Sequence, residues 1–228
     1  MYQLFIANKN YSSWSLRPWV LMRELAIPFT ESLVPFGAEP GRTNIRDVSP
    51  TGKVPCLMDE QQIVWDSLAI VEYLAERHEQ VWPSAALARA WARCAAAEMH
   101  SGFPELRTRC PMNCGVRVRI DALPAALSGE IARVNGLWTQ GLERFGGPFL
   151  AGAHFTAVDA FFAPVAFRVQ TYGLELQPSA MNYAARLLEL KSMREWMADA
   201  LKEPWRDEPH EAETRCAGTW IADYREGA

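Results

Sequence analysis

Residues 2–35 read YQLFIANKNYSSWSLRPWVLMRELAIPFTESLVP, and three segments of different period lie within them. Residues 2–7 are a six-residue run of sheet-favouring side chains, a strand by composition and length. A polar loop, residues 8–13, separates it from Trp14, Trp19, Val20, Met22, Leu25 and Ala26, which form an apolar stripe at helical spacing. Ile27-Pro28 ends that helix, because the residue before a proline is driven out of the helical region. Residues 29–35 then supply a second strand on a βαβ pattern. Working outward, residues 37–52 are loose and rich in turn formers. Residues 54–58 and 63–65 flank the polar Asp59-Glu60-Gln61-Gln62 and predict an antiparallel hairpin. Ser67 opens a helix whose apolar face is Leu68, Ile70, Val71, Tyr73 and Leu74.

Around residues 79–85 the chain changes character, with Pro83-Ser84 as a boundary and Ser84 a candidate N-cap. No strand pattern is expected beyond it. Ala- and Arg-rich stretches predict helices over 85–109, 123–145, 156–172 and 180–201. The expected architecture is an α/β domain over residues 1–80 and an all-α domain over 81–228. Residues 203–228 read as a charged tail lying on the helical domain, anchored by Trp205 and Trp220.

The 228 residues are 49% hydrophobic, enough for a core without staples, and the net charge of -4 with pI ≈ 5.7 disfavours a nucleic-acid partner. The N-terminus lacks a basic leader with an apolar stretch and a cleavage site, and residues 160–167 are far too short to span a bilayer. A cytoplasmic location with no membrane partner is therefore expected. Five cysteines are an odd number in a chain too long to need bridges, so free thiols are expected. Cys110 and Cys114 have no second pair to complete a zinc site, and no metal is expected.

Four short motifs carry candidate chemistry. Ser12, Ser13 and Ser15 sit where a strand hands over to a helix N-terminus; Ser15 fits the cap, with Pro18 in the first turn, while Ser12 or Ser13 could face an anion at the helix's positive end. Val54-Pro55 opens a strand and leaves Val54 backbone groups free to pair elsewhere; most such bonds are trans, and a cis bond would turn those groups outward. Asp66-Ser67 is a standard cap that could also hold an amino-acid head group, Asp66 taking the ammonium and Ser67 the carboxylate. Thr156-x-x-Asp159 is a capping box with Phe155 before it, and its role is structural.

In order and spacing these motifs resemble the cytosolic glutathione transferase family, over residues 2 to about 201. The resemblance implies a thioredoxin-like first domain that binds glutathione and a helical second domain that shapes the acceptor pocket. It implies that Ser12 or Ser13 donates to the glutathione sulfur, that Val54 pairs with the cysteinyl unit beside a cis Pro55, and that Asp66 and Ser67 hold the γ-glutamyl head. It places Trp14 in the same glutathione site, with Lys53 or Arg42 meeting the glycine carboxylate. Phe103 and Arg107 could face the acceptor, although packing or solvent explains each equally well. The Ser12-Ser13-Trp14-Ser15-Leu16-Arg17 run is similar to the zeta-class motif of maleylacetoacetate isomerases. It departs from that motif at Trp14, where zeta has cysteine, and at Leu16, where zeta has tryptophan. Alignment with zeta puts Ser12 first and Ser13 second as the activating hydroxyl.

A thiol with pKa of about 8.5 is only about 3% thiolate at pH 7. One charge-assisted hydrogen bond is worth ~1.5–3 kcal/mol, which raises that fraction to roughly 25–75%. The function implied is conjugation of glutathione, as co-substrate, to small electrophiles in detoxification, by a homodimer. Alternatives are a glutathione-dependent isomerase or peroxidase, and an interaction module that keeps the fold without the chemistry.

Overall fold

The computed structural model describes residues 1–36 and 44–225. Its first half runs β1 (Tyr2–Ile6), α1 (Ser13–Glu24), β2 (Phe29–Leu33), α2 (Ile45–Val48), β3 (Cys56–Asp59), β4 (Gln62–Val64) and α3 (Ser67–Ala75). The strands form one mixed sheet in the order β2-β1-β3-β4. β1 is parallel to β2, with Tyr2 opposite Phe29, and antiparallel to β3, with Phe5 opposite Cys56; β3 and β4 form the expected hairpin.

Alternation along the strands decides which face buries what. Leu4 and Ile6 of β1 and Leu57 of β3 point into the main core, which α1 and α3 share, while Phe5, Cys56 and Met58 point the other way and pack with Ile45 and Val48 of α2. Ser12, not Ser15, caps α1, accepting the Ser15 N–H. Pro18 lies in the second turn of α1, one turn later than expected.

After a short 3-10 turn, Glu79–Val81, come α4 (Ala86–Ser101), α5 (Pro104–Arg109), β5 (Val116–Arg119), α6 (Ala125–Phe145), α7 (Ala157–Tyr172), α8 (Pro178–Glu189), α9 (Lys191–Lys202), α10 (Glu208–Cys216) and β6 (Thr219–Asp223). This region is helical, with one two-stranded ribbon, β5-β6, that the sequence reading did not find. Two expected helices are each two. Residues 85–109 break at Gly102–Phe103, where Phe103 takes a left-handed φ of 59° and Pro104 restarts the chain; residues 180–201 break at Leu190. The cap of α4 is Ala85 with no side-chain bond, so Ser84 does not cap it.

α7 is central. Every side chain but Gln170 is buried, and its first turn carries the capping box, with Thr156 and Asp159 each bonding the other's backbone. α1 packs directly on α7, so the core runs without interruption from the sheet into the helical layer.

Candidate active site

The first part of the site is the loop joining β1 to α1. Asn8, Lys9, Asn10, Tyr11, Ser12 and Ser13 are all buried. The Ser12 hydroxyl donates to Ser15 Oγ at 2.7 Å and accepts from Ser15 N–H, while Ser15 Oγ accepts the Ala7 N–H at 3.2 Å. The Ser12 proton is thus already given away inside the protein. Ser13 is the first residue of α1, its N–H bonded to Tyr11 O, and its hydroxyl stands outside that Ser12–Ser15 relay. Tyr11 offers another hydroxyl, but it donates to Glu211 at 2.6 Å, and burial together with that carboxylate pushes its pKa well up. The Tyr11 hydroxyl is therefore committed to Glu211.

The second part precedes β3. The Val54–Pro55 bond is cis, and Val54 lies beyond the last registered pair of the β1–β3 ladder, Phe5 with Cys56. The third part is the β4–α3 junction. Asp66 caps α3, its Oδ1 accepting from Leu68 N–H at 2.9 Å and Ala69 N–H at 3.5 Å. Ser67 is fully buried, and its hydroxyl has no hydrogen-bond partner among the described residues. A buried hydroxyl left so costs ~1–3 kcal/mol unless something meets it.

Trp14, Lys53, Val54, Pro55, Asp66 and Ser67, all named from the sequence, line one cavity of ≈ 550 Å³ together with Thr51, Trp65 and Ala69. Ser12 and Ser13 do not line that cavity; Trp14, which follows them, forms its wall. Arg42 lies outside the described residues. Arg107 reaches the same neighbourhood: its guanidinium is 5.5 Å from the Trp14 ring centre and donates to His100 O at 3.0 Å. Phe103 does not join it. The ring is in the apolar core, as burial of a large aromatic side chain dictates, and its backbone makes the α4–α5 bend.

Two residues that the sequence reading missed complete the surroundings. Arg17 is fully buried, with its guanidinium 4.1 Å from the Trp14 ring centre and 5.0 Å from that of Phe161. Its Nε and Nη1 have no hydrogen-bond partner among the described residues. Burial, then repulsion from Arg168 and Arg107, pulls its pKa down to about 9, with Asp66 opposing. His100 sets Nε2 3.3 Å from Asp66 Oδ2 and its ring edge-on to Trp14. Burial lowers the His100 pKa, against the pull of Asp66 and with the help of Arg17 and Arg107. The sequence signal for Arg17 was a charge three residues from Trp14 on an otherwise apolar helix face; His100 left none.

Among the described residues, no group of three His, Cys, Asp or Glu side chains is arranged to hold a metal, and no helix is long and apolar enough to cross a membrane.

A mixed β2-β1-β3-β4 sheet with helices on both faces, continued into a helical layer around α7, defines a thioredoxin-like domain joined to a helical one. The chain belongs to the glutathione S-transferase family. Residues 11–77 match its "Glutathione S-transferase, N-terminal domain" and residues 81–206 its "Glutathione S-transferase, C-terminal domain". A probable maleylacetoacetate isomerase of Caenorhabditis elegans is 26% identical over 177 residues, covering 75% of this chain and 79% of that protein. The glutathione S-transferase GstB of Escherichia coli K12 is 26% identical over 211 residues, covering 82% and 94%. A Burkholderia glutathione transferase homologue, solved with bound glutathione, superposes with a TM-score of 0.65 at 20% identity, covering 87% of this chain and 97% of that one.

Proposed function

We propose that this protein is a glutathione transferase that activates the glutathione thiol for attack on small electrophiles. The observation that carries this reading is the unpartnered buried Ser67 hydroxyl beside the Asp66 carboxylate, in the same cavity as the Val54 backbone. A γ-glutamyl head presents an ammonium for Asp66 and a carboxylate for Ser67 Oγ at the positive end of α3. The cysteinyl backbone then pairs with Val54, and Lys53 meets the glycine carboxylate. In this pose the thiol lies toward the N-terminus of α1, where the helix dipole and one hydroxyl lower its pKa. Ser13 is the better donor of the two serines, because Ser12 already spends its proton on Ser15. Thiolate sulfur attacks the electrophilic carbon, a C–S bond forms, the leaving group departs with its bonding pair, and the thiol proton goes to solvent. Arg107, whose guanidinium is 5.5 Å from the Trp14 ring centre, is the side chain assigned to the electrophile.

Calorimetry of glutathione binding at two pH values, with turnover of a nitroaryl chloride, tests this. Wild type should bind with proton release and turn over; Ser13→Ala should bind without proton release. Absence of binding at millimolar glutathione refutes the reading and directs attention to an interaction role. The similarity to a probable maleylacetoacetate isomerase, together with the Ser12-Ser13 loop, supports a second reading, isomerisation of a cis-alkene by reversible addition of the same thiolate. Glutathione-dependent cis–trans conversion without net glutathione consumption distinguishes it. The homodimer of the family is proposed on the same footing and predicts a solution mass of twice 25.7 kDa.

A further inference from the structure

The serine loop is held from behind by residues near the far end of the chain. The Glu203 carboxylate accepts the Lys9 N–H at 2.6 Å on one oxygen and the Asn10 N–H at 3.3 Å on the other. Trp196 Nε1 donates to Lys9 O at 2.8 Å, Cys114 N–H donates to Asn10 O at 3.2 Å, and the Asn10 side-chain amide donates to Ala200 O. The Tyr11 hydroxyl donates to Glu211, which also receives both terminal nitrogens of Arg225 and the Asn113 amide. Arg225 reaches this place over Gly115, where an added Cβ would come 2.2 Å from Arg225 Cγ. The tail therefore does not merely lie on the helical layer, as its sequence predicts; it grips the loop at three consecutive residues.

Burying Glu203, Glu211 and Arg225 is an expensive way to gain stability, because desolvation offsets most of the attraction. What such groups add is geometry: two carboxylate oxygens and a forked guanidinium fix direction as well as distance. We infer that Glu203, Glu211 and Arg225 are positioning residues, which set the height of Ser12 and Ser13 against the cavity that holds Val54, Asp66 and Ser67. The inference rests on the reading that a serine of this loop activates the thiol. None of the three residues lines the cavity. They act through the loop alone.

Glu203→Gln must turn its NH2 group toward one of the two backbone N–H groups, so one bond is lost and the other kept. Tyr11→Phe removes only a hydroxyl; the ring stays stacked on His210, and Glu211 keeps Arg225 and Asn113. Both variants, made in the full chain, are compared with wild type by calorimetry with glutathione, by ultraviolet titration of the bound thiolate, and by kcat and KM for a nitroaryl chloride. Expected are a glutathione Kd within about threefold of wild type, a bound-thiol pKa raised toward its free value, and kcat lowered about 10–100-fold at unchanged KM, as misplacement by a fraction of an ångström to an ångström produces. Wild-type values of thiol pKa and kcat in both folded variants overturn the inference and leave the tail a purely structural role. If wild type itself binds no glutathione, the functional reading fails and this inference falls with it. Should Glu203→Gln not fold, Tyr11→Phe decides alone.

Discussion

Asp159 is fully buried and accepts four hydrogen bonds, from Leu150 N–H, Thr156 N–H, the Thr156 hydroxyl and the Tyr183 hydroxyl. Burial nevertheless outweighs them and pushes its pKa up to about 6. A carboxyl raised in this way favours the fold fully below its unfolded pKa, near 4, and that contribution is lost as pH rises through about 6. Urea midpoints of wild type should therefore fall over pH 4 to 6 relative to Asp159→Asn, which carries no such proton. Asp159→Ala should cost about 3–5 kcal/mol in the same experiment, because four donors lose their buried acceptor. His100 has the opposite sign and a functional readout. Its lowered pKa keeps it neutral at pH 7, so it does not pair as a cation with the Asp66 carboxylate that the proposed function assigns to an ammonium. On acidification past its lowered pKa a protonated His100 competes for Asp66, and glutathione Kd should rise in wild type but not in His100→Gln. Thiol chemistry is simpler. Cys94 and Cys216 are exposed, whereas Cys56, Cys110 and Cys114 are buried with raised pKa values, that of Cys110 to about 12. Two of the five thiols should react quickly with Ellman's reagent and the rest only on unfolding. The Thr156–Asp159 box and the Asp66-Ser67 cap were legible in the sequence because their partners lie within three residues. Glu203 was not: its partner Lys9 is 194 positions away, and no local period marks it.

Among elements, α5 shows where periodicity misleads. A helical pattern continues across residues 101–104, but Gly102-Phe103-Pro104 interrupts it, and the new helix takes its cap from elsewhere. Glu130 of α6 accepts the Glu105 N–H at 3.3 Å and the Leu106 N–H at 2.7 Å. Glu130→Ala should lower stability by about 1–2 kcal/mol, the usual cost of a lost cap. Because Arg107 rides on α5 beside Trp14, KM for the electrophile should change while glutathione Kd does not; steady-state kinetics and calorimetry separate the two. β5 was readable and misread. Val116-Arg117-Val118-Arg119 alternates with period two, valines buried and arginines less so, but four residues amid helical stretches are a weak strand signal. Its partner β6 begins 100 residues after it ends, so nothing nearby announced a hairpin.

In the whole molecule, the sheet and the helical layer share one core through α1 against α7, with Leu16, Trp19, Phe161 and Phe162 all fully buried. Unfolding should therefore be a single cooperative step, in which tryptophan fluorescence and far-ultraviolet circular dichroism give coincident urea midpoints. The order of the elements made this architecture legible from local patterns, while the clamp on the serine loop, built wholly from distant pairs, was invisible to them. That clamp also has a history in time. Tyr11 and Glu211 are 200 positions apart. A ribosome adding roughly 5–20 residues per second needs on the order of 10–40 s to travel between them. Throughout that interval the nascent chain carries its serines without the groups that hold them, and a polypeptide released early owns a complete sheet but an unset loop. Setting of the loop thus waits for Glu203 and Glu211 to emerge, long after the residues they hold.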